Sequence, residues 1–154
     1  MESLKFVALD TDDLEVVATH LQDAEVKVGD VHWRPQERRL VLGLNRFDWC
    51  AASASTPQLL RRRSALRFDR VLACKCKGVK PHSKDAVLNL LNVEFEATEA
   101  PAGVVTLIFS GDAALRLEVE CLEVELADLG PTWSTDMRPK HGDDEPKMQI
   151  DVRN

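Results

Sequence analysis

Three consecutive arginines, Arg61-Arg62-Arg63, are the residues of this 154-residue chain whose type and spacing most directly suggest chemistry. Guanidinium groups present planar forks of N–H donors that grip phosphate or carboxylate. The run lies between a small, polar stretch (residues 51–58) and an alternating apolar one, where three such groups can converge on an anion. Arg67, Lys75 and Lys77 follow at strand spacing and extend the patch if their strands face the same way. We therefore expect Arg61, Arg62, Arg63, Arg67, Lys75 and Lys77 to form an anion- or partner-binding surface. Because the arginines adjoin a loop, their charges should sit largely in water. The competing reading is a solvated sheet edge, since lysines on an exposed strand block edge pairing.

The charge distribution sharpens this reading. Residues 61–84 hold nine lysines and arginines against Asp69 alone, and residues 94–129 hold nine acids against Arg116 alone. The formal net charge of −6 hides that segregation, which bears on partners and encounter rates and not on fold. Head-to-tail self-association is one consequence it permits. Nucleic acid is a second candidate partner for residues 61–84, although Phe68 is the only aromatic residue there and the sequence pI is near 5.2.

Other reactive types are dispersed. Cys74 and Cys76 flank Lys75, so both thiols share one face of a strand. Zinc sites, however, use wider gaps and a second ligand pair, which Cys50, Cys121 and His82 do not supply. The pair reads as two small apolar side chains. His20, His32, His82 and His141 stand alone, and no serine has a glycine-flanked hydrolase setting. No phosphate-cradling glycine loop or dinucleotide fingerprint is present. Asp10, Asp12 and Asp13 are explained by helix capping. The expectation is no catalytic residue, no metal and no cofactor, with an enzyme of dispersed site as the minor alternative. The strings Arg46-Phe47-Asp48-Trp49 and Arg67-Phe68-Asp69-Arg70 read as strand ends anchored by phenylalanine.

The elements that must position these groups follow from periodicity. Leu4–Leu9 reads as a strand, and Leu14, Val17, Ala18 and Leu21 as an amphipathic helix capped by the aspartates. Val26 and Val28, then Val31 and Trp33, alternate about a break at Gly29-Asp30, and Leu40, Leu42 and Leu44 return as a hairpin partner. Further strands are read around Leu66–Phe68, Leu72–Cys76, Leu91–Phe95, Val104–Phe109 and Leu115–Cys121. Leu122, Leu126 and Leu129 are spaced i, i+4, i+7, which predicts a C-terminal helix stopped by Gly130-Pro131. The class is α+β: an antiparallel, hairpin-rich sheet of about seven strands, with a pleckstrin-homology-like roll as the candidate topology, one helix after the first strand and one at the C-terminal end. Residues 1–133 are expected to form one domain, and residues 134–154 a charged, disordered tail.

The 44% hydrophobic and 30% charged content is that of an ordinary globule. No apolar run approaches the ~20 residues of a membrane span, and the start lacks a secretory pattern. Four cysteines without export suggest free thiols and a cytoplasmic protein with no membrane partner.

Several stretches, among them Leu44-Asn45-Arg46-Phe47-Asp48-Trp49, Arg61-Arg62-Arg63, Leu66-Arg67-Phe68, Arg116-Leu117-Glu118-Val119-Glu120-Cys121 and Ala127-Asp128-Leu129-Gly130-Pro131, resemble an uncharacterised family of small alphaproteobacterial proteins. The resemblance spans about residues 4–133. It implies a bacterial cytoplasmic protein and transfers no activity, cofactor or site. The functional expectation is a non-enzymatic module that binds a protein or an anionic ligand, with nucleic-acid binding through residues 61–84 as the alternative.

Overall fold

The computed structural model describes residues 3–135. After strand β1 (Lys5–Ala8), Asp10 caps helix α1 (Thr11–Leu21): its Oδ1 accepts the Asp13 amide at 2.8 Å, while Asp12 and Asp13 sit at the positive end of the helix dipole. Leu14, Val17 and Leu21 form the buried stripe of α1.

Most of the remaining regular structure among the described residues is strand. The strands are β2 (Ala24–Lys27), β3 (Val31–Arg34), β4 (Arg39–Phe47), β5 (Leu60–Phe68), β6 (Val71–Lys77), β7 (Val87–Ala97), β8 (Gly103–Phe109), β9 (Ala113–Val119) and β10 (Val124–Ser134). A four-residue helix, α2 (Trp49–Ala52), follows β4. All pairings are antiparallel, in the order β1-β10-β5-β4-β2-β7-β8-β9-β6, with β3 also on β4. A 3-10 turn at Val28–Asp30 separates β2 from β3, so the two pair with different halves of β4. One apolar core, including Leu40, Leu66, Leu107, Leu117 and Leu126, runs through this sheet, with α1 packed on it.

The α+β class and antiparallel sheet agree with the expectation, but the described residues hold ten strands where about seven are expected. The larger correction is at the C-terminal side, where the expected helix is strand β10. Val124 and Leu126 of β10 and the preceding Leu122 alternate and are buried, and Leu129, which the helical spacing placed with Leu122 and Leu126, is 55% exposed. Tertiary pairing overrides the local spacing here: β10 lies between β1 and β5, with backbone partners on both sides. Gly130, at φ +109°, forms part of the irregularity between Asp128 and Thr132 and caps no helix. A pleckstrin-homology-like roll ends in the helix that this strand replaces. Strand β10 continues through Ser134, and Thr135 is buried, one or two residues past the expected domain boundary. The remainder of the expected tail lies outside the described residues.

Candidate functional site

The arginine run occupies the first half of β5, an interior strand between β10 and β4. Strand alternation sends Arg62 to the same side as Ser64 and Leu66, and Arg61 and Arg63 to the opposite side. Arg61, Arg62 and Arg63 are 1%, 5% and 5% exposed, which corrects the expectation that their charges sit in water. Each meets a built partner. Arg62 Nε donates to Asp48 Oδ2 at 2.7 Å, and Asp48 also caps α2 by accepting the Ala51 amide. Arg63 donates to Asp30 at 3.2 Å and to the Asn45 side chain. Arg61 Nη1 donates to the Asn45 carbonyl at 3.3 Å, with its guanidinium 5.7 Å from the centre of the Phe47 ring. Arg63 reaches Asp30 by crossing Gly43, where a Cβ would come within 2.6 Å of its Nη2.

A fourth arginine completes this polar end of the core. Arg46, opposite Arg62 in the β4–β5 register, grips Asp128 of β10 through two parallel bonds of 2.9 and 3.0 Å. Asp128 also accepts the Ser64 hydroxyl at 2.6 Å and the Leu4 amide at 2.7 Å. Burial pushes the Asp128 carboxyl upward, but these hydrogen bonds outweigh it and hold it below the usual carboxylate range. Asp48 shows the same balance, with the Ala51 amide and Arg62 prevailing over burial. Burial and then the Arg46 charge lower the pKa of nearby His20.

Arg67 lies elsewhere, in a basin where guanidinium groups are already matched. It bonds Asp69 at 2.9 Å and Glu125 at 3.2 Å, beside the pairs Arg39–Asp69 and Arg38–Glu120. Lys75 and Lys77 are far more open. They project from β6, the terminal strand of the sheet order, and the Lys75 side chain is 73% exposed. Lys80 and Lys84 in the following loop are exposed as well. The six expected residues are thus split among the core, a neutralised basin and a basic edge. Cys74 and Cys76 share that edge strand, Cys74 half-buried and Cys76 exposed, and burial pushes the Cys74 thiol up to about 11.

Among the described residues, a groove of about 590 Å³ opens between α1 and β7. Its helical wall is the stripe Thr11, Glu15, Ala18 and Gln22, spaced i, i+4, i+7, i+11 and lying beside the buried stripe of α1. Its other wall is Leu91–Phe95. Strand β2 pairs with β7 only at Val87–Leu90, and among the described residues no strand pairs with that side of β7 beyond Leu90. A register shift between Leu90 and Asn92 marks the point where β7 leaves β2, and there Leu91 is turned out, 42% exposed. The lining contains two charged residues, Glu15 and Glu94, both acidic.

A scan against family models matches residues 4–141 to a family described as a protein of unknown function, DUF2948. The chain belongs to the DUF2948 family. No curated protein and no solved structure matches it. For this DUF2948 protein the groove is not apparent in the sequence, because Thr11 and Glu15 look like the ordinary outer face of a helix and Ala18 like part of its apolar stripe. One signal was present: adjacent Leu90 and Leu91 break the alternation that otherwise joins Leu88 to Phe95.

Proposed function

We propose that this chain is a non-enzymatic interaction module that docks a segment of another protein in the groove between α1 and β7. The observation that carries this reading is the coincidence of an open concavity with a strand whose outer side has no partner strand among the described residues. Unpaired N–H and C=O groups on a strand edge bind extended chain readily. Arg62 and Arg63 are taken up by internal ion pairs, and Arg61 is buried against the Asn45 carbonyl and Phe47, which leaves the run little capacity for a further anion. Among the described residues no helix is long and apolar enough to cross a membrane. The setting that fits the reading is the bacterial cytoplasm implied by the family resemblance. A photo-crosslinking residue placed at Ala18, compared with one at exposed Val16 on another face of α1, tests it in the native cytoplasm. Adducts of discrete mass at position 18 alone are expected; their absence there, or equal yield at both positions, overturns the reading.

The exposure of Lys75, Lys77, Lys80 and Lys84 favours a second reading, nucleic-acid or other polyanion binding at the β6 edge. Retention on heparin or RNA that falls steeply with salt would support it.

A further inference from the structure

The groove specifies more than a docking place. Resting on the reading above, we propose that its occupant is an extended segment with lysine or arginine at alternate positions and small or apolar residues between them, added to the sheet as a strand along β7.

The main-chain geometry comes from the strand alternation. The Thr98 amide donates to the Ala102 carbonyl across the β7–β8 turn, so the even-numbered residues Glu94 and Glu96 turn their backbone groups toward β8. Val93, Phe95 and Ala97 then turn theirs to the open side. The Val93 amide is covered by its neighbour, accepted by Asn92 Oδ1 at 2.9 Å, and Asn92 is in turn held by Glu94 at 3.1 Å. That cap leaves the Val93 carbonyl and both backbone groups of Phe95 and Ala97 for an incoming strand. Two or three residues of such a strand satisfy them, which requires an extended segment of about five to seven residues at ~3.3 Å per residue.

The side-chain chemistry follows from the two faces of β7. Val93 and Phe95 are turned to the core, Val93 buried and Phe95 packed against it, whereas Glu94 and Glu96 are exposed on the other face. A strand laid beside β7 shares those faces. Its inner residues face Leu14 and Ala18 of α1, apolar side chains that favour small or apolar groups opposite them. Its outer residues lie beside Glu94 and Glu96, two positions apart, and Glu15 stands on the helical rim. No lysine or arginine lines the groove to offset them. Opposite charges directly across a strand pair attract and like charges repel, so cations at alternate positions are selected and acidic segments rejected.

The test is affinity selection of a random dodecapeptide library on the full chain, with three variants: Ala18→Trp to fill the groove, Glu94→Gln/Glu96→Gln to remove the charge, and Glu15→Lys to reverse it. The substituted positions lie outside the buried core, and melting temperature confirms that each variant folds. Enriched peptides are expected to alternate Lys or Arg with apolar residues. They should lose most binding to the tryptophan variant and weaken about 2–20-fold against the glutamine pair. Amide exchange at Phe95 and Ala97 should slow in the complex, which binding by side chains alone would not produce. Peptides that lack alternate cations yet still depend on Ala18 would overturn this inference and leave the docking groove standing. No enrichment, or binding indifferent to Ala18→Trp, would overturn both.

Discussion

Arg46, Arg61, Arg62 and Arg63 take their roles from what surrounds them. A buried guanidinium is tolerated only when its donors find acceptors, and removing one partner leaves an uncompensated charge. Arg62→Gln should therefore lower stability by about 3–5 kcal/mol, by stranding Asp48 and loosening the cap of α2. Gly43→Ala should cost about 1–3 kcal/mol, because the new methyl displaces Arg63 from Asp30. Urea melts read both, and a neutral result for Arg62→Gln would show that this pair is dispensable. The pH dependence has two parts. Asp48 and Asp128 have lowered folded-state pKa values, so their contribution is complete above the unfolded carboxylate value near ~4 and is lost as pH falls through the folded values. His20 is also lowered, so the folded state resists protonation that the unfolded chain accepts. Stability should therefore start to decline as pH drops below ~6.5, and His20→Gln should flatten that first decline without altering the acid one. An unchanged slope between pH 6.5 and 5 in the variant would remove His20 from the account. The cysteines give a separate test. Exposed Cys76 should alkylate well before Cys74, whose thiolate is scarce at pH 8 with a pKa of about 11.

Among the elements, β10 carries the clearest lesson. The leucines at 122, 126 and 129 satisfy a helical spacing, and the competing alternation of Leu122, Val124 and Leu126 is just as good locally. Pairing decides between them: β10 fills the space between β1 and β5, and only a strand there presents Glu125 to Arg67 and Asp128 to Arg46. Leu126→Ala should cost about 2–5 kcal/mol, whereas Leu129→Ala should fall within about 0.5 kcal/mol of wild type. Equal losses at both positions would favour the helical face. The same distinction separates what was legible in the sequence from what was not. The α1 cap and stripe, the β3–β4 hairpin and the β7–β8–β9 meander are local patterns, and they read correctly. Arg61–Arg63 did not, because a run of cations beside a loop resembles a surface. Their acceptors Asp30, Asn45 and Asp48 are distant in sequence and lie on neighbouring elements.

At the scale of the whole molecule, burial redistributes the charge asymmetry of the sequence. Of the nine basic residues, Arg61, Arg62 and Arg63 are buried, Arg67 and Arg70 are paired with acids at the basin, and the other four form the lysine edge of β6 and its loop. Lys75, Lys77, Lys80 and Lys84 changed together to glutamine should leave the melting temperature nearly unchanged, since exposed ion pairs contribute about 0–1 kcal/mol. The same change should lower the salt concentration at which the protein leaves heparin. Elution at an unchanged salt concentration would show that this edge has no part in polyanion binding.

The central placement of β10 also sets when the protein can acquire its structure. While the ribosome adds residues 1–123, roughly 6–25 s of synthesis at 5–20 residues per second, β1 and β5 lack the strand that joins them. Arg46 is without Asp128 for the same interval, and the Leu4 amide without its acceptor. The nascent chain is therefore expected to keep two open edges and an unmatched guanidinium until β10 leaves the exit tunnel. A stop codon introduced shortly before residue 124 should consequently yield a protease-sensitive, chaperone-bound product instead of a smaller stable domain.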